Sequence, residues 1–166
     1  YKEDFRLHKE LGGGMIYDLG CYCTTMILSV IDSEIKYVKG AAEMTDLGVD
    51  ALSTALIGFK NGARAAFTVG MVLGENSNAR FDRLYIHGTK GVIISEVPYN
   101  AEGEVSYRVI EEGRISIRKI TVPNNYMLEV EDMGDCILNG SESKVSEEFS
   151  IKNSELLDEI MAEIGY

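Results

Sequence analysis

Asp18 and Tyr22 stand four residues apart, just after the run Gly12-Gly13-Gly14. At helical spacing, a carboxylate and a phenol so placed share one face. A glycine run leading into an ionisable pair at the mouth of a helix can set an acid/base group beside a ligand. A phenol with its ordinary pKa of about 10 is protonated at neutral pH and is a poor base. A neighbouring cation lowers that value and makes the hydroxyl usable for proton transfer, whereas a carboxylate alone raises it. Catalysis through Tyr22 therefore requires a further positive group. The competing reading is structural: an Asp and a Tyr that hydrogen-bond a neighbouring loop.

Other chemistries find less support. A G-x-G-x-x-G fingerprint starting at Gly12 would need glycine where Tyr17 stands, and no strand–turn pattern precedes it. The glycines instead permit close approach of backbone to a ligand or to a neighbouring element. His8 and His87 are the only imidazoles. His8, just before the glycine run, either reaches a ligand or sits in a solvated loop. His87 reads as a turn residue at a hairpin end. No His, Cys and carboxylate cluster has ligand spacing, so no metal is expected. No G-x-S-x-G occurs, so no serine nucleophile elbow is present. Cys21 and Cys23 would point about 200° apart on a helix and cannot share a metal. With Cys136 they read as small core residues of a reduced, cytoplasmic protein. Tyr107 reads as a sheet residue. Tyr126 either faces the cleft of Tyr22 or packs as an aromatic at a helix start.

These residues must be held by elements that the periodicity predicts. A helix is expected from about Gly14 to Ile31, with Ile16, Leu19, Cys23, Met26, Ile27 and Val30 on its buried stripe and Asp18, Tyr22, Thr25 and Ser29 on a polar ridge. Strands are expected over Ile35 to Thr45, Ala51 to Phe59, Ala63 to Val72, Arg80 to His87, Val92 to Glu96, Val105 to Ile110 and Ile115 to Val122. Turns at Lys60-Asn61-Gly62, Gly88-Thr89-Lys90-Gly91 and Glu111-Glu112-Gly113 make successive hairpins. Asn124 or Asn125 caps a helix with Leu128, Met133, Ile137 and Leu138 on its apolar side, ended by Asn139-Gly140. A last helix starts at Ser146 and buries Leu156, Leu157, Ile160, Met161 and Ile164. Helix, many strands, then helices implies an α+β fold: a large, mainly antiparallel open sheet with helices packed on one face.

The chain has 166 residues, 45% of them hydrophobic, and a net charge of -11. That size and composition allow one domain with a sizeable core. The negative charge argues against nucleic acid or an anionic membrane surface as partner. No apolar run is long enough for a membrane span. The start at Tyr1-Lys2-Glu3, without Met, reads as a piece of a longer protein.

In the stretch Gly12 to Tyr22 the chain resembles the C-terminal domain of the glucose–fructose oxidoreductase / inositol dehydrogenase (Gfo/Idh/MocA) family, whose glycine-rich segment runs into D-x-G-x-[HY]. Phe5-Arg6, Phe59-Lys60-Asn61-Gly62-Ala63, Ile86-His87-Gly88-Thr89-Lys90-Gly91 and Glu131-Asp132-Met133-Gly134-Asp135-Cys136-Ile137 resemble later or flanking family segments, in order. The resemblance implies that residues 1–166 are a single substrate-binding and dimerisation domain. Its partner would be an N-terminal Rossmann domain carrying NAD or NADP and a catalytic lysine. It implies an oxidoreductase acting on CH–OH groups of a sugar, polyol or related alcohol, dimeric through the open sheet face and inactive as this piece alone. Asp18 then orients substrate and Tyr22 takes the acid/base position. Arg6, His8 and Tyr126 line the substrate, Gly13 and Gly14 lie at the cofactor, and the absent lysine is the cation that Tyr22 needs. The alternative is a non-catalytic ligand-binding or dimerisation module of the same fold.

Overall fold

Ser146 starts the last helix as predicted. Its hydroxyl accepts from Phe149 N at 3.1 Å, and Glu147 and Glu148 occupy the first turn, where the helix dipole favours acid. This helix, α3 (Glu147–Ile164), ends on Gly165 in the left-handed conformation. Leu156, Leu157, Ile160 and Met161 are buried against the first strand and the first helix of the chain. The computed structural model describes residues 4–71 and 82–166.

Strands β1 (Ile35–Met44), β2 (Asp50–Phe59) and β3 (Arg64–Gly70) form an antiparallel sheet in that order. The predicted turn at Lys60-Asn61-Gly62 joins β2 to β3, and Asn61 Oδ1 accepts from Ala63 N at 3.0 Å. Along β2, Ser53, Ala55, Ile57 and Phe59 are buried while Thr54 and Leu56 are exposed, the alternation of a sheet covered on one face. The pairing slips once: Leu52 faces Glu43, but Asp50 faces Met44, which leaves Ala51 as the extra residue of a β-bulge.

Strands β4 (Leu84–Gly88), β5 (Gly91–Ser95), β6 (Gly103–Glu111) and β7 (Arg114–Val122) form a second antiparallel sheet in chain order. The fold is α+β with antiparallel sheets, as expected, and its hydrogen bonding divides the strands between two sheets. The strand ends expected at Val72 and at Arg80–Phe81 lie outside the described residues. Residues 4–71 with 145–166 make one unit, and residues 82–144 make another.

In the second unit α2 (Asn125–Asn139) is capped as predicted: Asn124 Oδ1 accepts from Met127 N at 2.9 Å, and Gly140 closes the helix in the left-handed region. Asn125 Nδ2 donates to Tyr99 O at 3.2 Å, tying the helix start to the preceding loop. Its expected apolar side is not covered among the described residues: Met133, Ile137 and Leu138 are all exposed, Leu138 at 83%.

In the first unit the expected helix over Gly14 to Ile31 is two pieces. A π-helical turn, Ile16–Gly20, leads into α1 (Cys21–Val30). A π-turn bonds i to i+5 and so shifts the phase of everything after it. The buried line is therefore Ile16, Gly20, Thr24 and Leu28, while Leu19 and Val30, expected inside, are exposed. Thr24 tolerates burial because its hydroxyl donates back to Gly20 O at 3.1 Å. The polar ridge of Tyr22, Thr25 and Ser29 is exposed as expected.

Candidate active site

The segment before the π-turn folds back on itself. Asp4 Oδ1 accepts from Arg6 N at 3.0 Å and caps a short 3-10 turn, Phe5–Leu7; a second, Lys9–Leu11, follows. Gly13 N then donates to His8 O and Gly14 N to Arg6 O, both at 2.9 Å. This return brings the Arg6 side chain onto the helix. Its Nε donates to Asp18 Oδ2 at 2.9 Å, and a terminal nitrogen lies 3.2 Å from Asp4 Oδ1. The hydrogen bond to Asp18 raises the Arg6 pKa further, and Coulombic attraction to the same carboxylate adds to it, so the guanidinium keeps its charge. The structure thus joins two of the predicted site residues, Arg6 and Asp18.

Tyr22 lies one turn beyond Asp18, in the first turn of α1, and is 59% exposed. Its side chain is not sealed in the core. His8 Nδ1 lies 3.1 Å from Glu10 Oε1, beside the folded-back segment. Tyr126 is 67% exposed on the first turn of α2 in the other unit.

Gly13 and Gly14 occupy a different setting from the one expected of cofactor-binding residues. Both are buried, and both amides are used inside the chain. A Cβ on Gly13 would stand 2.6 Å from Arg6 O, and one on Gly14 would stand 2.1 Å from Asp50 Oδ1. The glycines let the backbone close over Arg6 and over a buried carboxylate, the second of the two uses the sequence left open. Free backbone N–H groups of the kind that hold a pyrophosphate are not available from them.

Asp50 itself is the residue that sequence reasoning missed. It is wholly buried at the start of β2, and its Oδ2 accepts from Ile16 N at 3.0 Å and from Ser53 Oγ at 2.6 Å. The one available signal was an acid inside the apolar run Val49-Asp50-Ala51-Leu52.

Tyr166 closes the other side of the loop. Its hydroxyl donates to Gly13 O at 2.7 Å, its ring meets Tyr17 edge to face at 6.1 Å, and Lys9 Nζ lies 4.4 Å above the ring. Burial pushes both phenols above their ordinary value of 10.0, and neighbouring carboxylates add to it, Asp158 at Tyr17 and Asp50 at Tyr166. The folded chain therefore holds these two protons where the unfolded chain releases them. Below pH 10.0 both states are protonated and the contribution is fully present; above it the unfolded state ionises first and stability falls. Urea midpoints measured across that range are expected to drop more steeply for the wild-type chain than for the Tyr17→Phe/Tyr166→Phe double variant. Equal slopes would contradict this account.

Among the described residues no group of His, Cys, Asp and Glu is arranged to hold a metal, and no helix is long and apolar enough to cross a membrane. Among the described residues no disulfide joins Cys21, Cys23 or Cys136, and Cys21 and Cys23 pack against the core.

Fold and site together define an α+β domain that presents an ion-paired carboxylate and an exposed phenol on a helix entered through a π-turn. The family model of the GFO/IDH/MocA C-terminal domain matches residues 1–94, and the chain belongs to that family. Trans-1,2-dihydrobenzene-1,2-diol dehydrogenase of Xenopus tropicalis is 31% identical over 171 residues, covering 98% of this chain and 49% of that protein. D-xylose 1-dehydrogenase (NADP(+)) 2 of Haloferax volcanii is 22% identical over 162 residues, covering 95% of this chain and 48% of its own. The structure of KijD10, a 3-ketoreductase from Actinomadura kijaniata in complex with NADP and TDP-benzene, superposes with a TM-score of 0.85 at 16% identity. It covers 97% of this chain and 49% of that one, and establishes likeness of fold. The chain spans about half the length of the curated relatives it matches.

Proposed function

We propose that this chain is the substrate-binding and dimerisation half of an NAD(P)-dependent oxidoreductase acting on a CH–OH group of a sugar, polyol or related alcohol. The observation that carries this reading is the Arg6–Asp18 ion pair one helical turn before the exposed Tyr22. A preorganised ion pair can bind and orient substrate hydroxyls, and a phenol beside it can exchange the hydroxyl proton. The named substrates of two relatives, trans-1,2-dihydrobenzene-1,2-diol and D-xylose, both carry a hydroxyl-bearing carbon next to a second hydroxyl. An ion pair beside a proton-transferring group suits such a diol: one hydroxyl meets the pair and its neighbour meets Tyr22.

The residues of this chain fit the substrate side of hydride transfer and not the dinucleotide. Gly13 and Gly14 have no amide to offer a phosphate, so the cofactor would be held by an N-terminal Rossmann domain of the parent protein. When bound there, the nicotinamide supplies the hydride acceptor or donor. Tyr22 moves the hydroxyl proton, and Asp18 with Arg6 holds the substrate.

Dimerisation and a cytoplasmic setting belong to the same reading. Ile115 and Ile117 lie on one face of β7 and are both exposed, a feature that an interface between copies of this chain would cover.

The test is an assay of the full-length parent protein with NAD+ or NADP+ against vicinal diols and aldoses. Growth of reduced-nicotinamide absorbance with at least one of them is expected. No turnover, with no G-x-G-x-x-G segment upstream, would favour the non-catalytic module instead.

A further inference from the structure

We propose that Asp50 is a positioning residue, a carboxylate supplied by β2 that caps the π-turn and so fixes the register in which Asp18 and Tyr22 leave it. The proposal rests on the catalytic reading of Tyr22 given above.

A helix start leaves backbone N–H groups without intrahelical partners, and a side chain just before the helix ordinarily accepts from them. Here the residue in that place is Met15, which makes no side-chain cap. The Ile16 N–H is taken by Asp50 Oδ2, across 34 residues of sequence. The cap is thus tertiary: it ties the π-turn to a strand of the sheet and not to its own segment.

Independent features of the chain serve this one contact. The bulge at Ala51 breaks the two-residue alternation of β2, so that Asp50 and Ser53, three apart, both point inward. Ser53 then donates to Asp50 Oδ2 at 2.6 Å and holds the carboxylate in place. Gly14, at φ +103, leaves the space that a side chain would have taken from Asp50 Oδ1. That second oxygen has no hydrogen-bond partner among the described residues. A buried acid left half satisfied is costly, and the two bonds of the other oxygen offset that cost.

Asp50 holds a helix form that is not the default. A π-turn is the less stable alternative to continued α-helix and persists where surrounding structure imposes it. Released from Asp50, Ile16–Gly20 can relax toward α geometry. That relaxation rotates Asp18 relative to Tyr22 and draws Asp18 away from Arg6. The core face of α1, set by Thr24 and Leu28, stays where it is.

The test compares Asp50→Leu, which removes the acceptor, with Asp50→Asn, which keeps one. Both are made in the full-length parent protein, with Tyr22→Phe as the reference. Asp50→Leu is expected to speed amide exchange at Ile16–Gly20 about tenfold or more, as a local opening would. It is expected to lower kcat by about 10²-fold and to raise KM as well, because the rotated Asp18 no longer pairs with Arg6 to hold the substrate against Tyr22. Asp50→Asn should restore most of both. Unchanged exchange at Ile16–Gly20 in the leucine variant overturns the proposal. So does unchanged turnover there while Tyr22→Phe abolishes it, or an asparagine variant as impaired as leucine. If Tyr22→Phe itself has no effect, the catalytic reading fails, and the exchange measurement still decides for or against the cap. Should Asp50→Leu fail to fold, Asp50→Ser, too short to reach Ile16 N, takes its place in the same comparison.

Discussion

Tyr22→Phe in the full-length parent protein is expected to lower kcat by about 10²-fold, the usual worth of one well-placed proton-transfer group. KM should change little, because the substitution removes one oxygen and leaves Arg6 and Asp18 to bind the substrate hydroxyls. The variant separates chemistry from folding. Tyr22 is 59% exposed, and its ring forms no part of the core built on Ile16, Leu28, Ile57 and Ile160. Exposed substitutions away from special features usually shift stability by less than about 0.5 kcal/mol. Steady-state rates across pH and a thermal melt are the measurements. A hundredfold loss with an unshifted melt assigns the proton to Tyr22. Full turnover in the phenylalanine variant would remove Tyr22 from the mechanism, however well the domain folds.

The parts of the molecule governed by local rules were legible from the residues. Ser146, Asn124 and Gly140 take the capping positions that their chemistry predicts, since a cap depends only on the nearest few residues. The same holds for the β2–β3 turn, where Asn61 and Gly62 supply the required bonds and backbone angles. Strand positions followed the alternation closely because one face of β2 is dry and the other wet.

What escaped depends on tertiary structure. The π-turn at Ile16–Gly20 has no period of its own, so a 3.6-residue stripe carried through it put Leu19 and Val30 inside, and both are exposed. Asp50 reaches the helix from β2 only because a bulge turns it inward, and a bulge left no mark in the pattern. The Arg6–Asp18 pair spans 12 residues and forms only because the glycine run reverses the chain between them. The resemblance of Phe5-Arg6 to a family segment pointed to Arg6; spacing alone did not. The apolar side of α2 was read correctly as a stripe, but whether a stripe is covered is a property of neighbours, not of the helix.

Gly14→Ala is expected to destabilise the domain by about 3 kcal/mol or more, near the top of what single changes do. Two costs add. At φ +103 an alanine backbone is strained, by about 1–2 kcal/mol. Its Cβ would also stand 2.1 Å from Asp50 Oδ1 and 3.4 Å from Asp50 N. The carboxylate cannot swing aside, because it is wholly buried and its other oxygen is held by Ile16 N and Ser53 Oγ. Either the π-turn lifts off the sheet or Asp50 loses its bonds. Gly12 is the control: it too has positive φ, at +72, but a Cβ there meets nothing within 4 Å. Gly12→Ala should therefore show only the backbone cost, about 1 kcal/mol. Thermal melts should put Gly14→Ala about 6–12 °C below wild type, and Gly12→Ala a few degrees below, given about 2–4 °C per kcal/mol at this size. The steric part should be absent when Asp50 is already shortened. In an Asp50→Ala background, Gly14→Ala should keep only its backbone cost of about 1–2 kcal/mol, a coupling of about 1–2 kcal/mol between the two sites. Equal losses for Gly12→Ala and Gly14→Ala, or strict additivity with Asp50→Ala, would show that the glycine makes no room for the carboxylate.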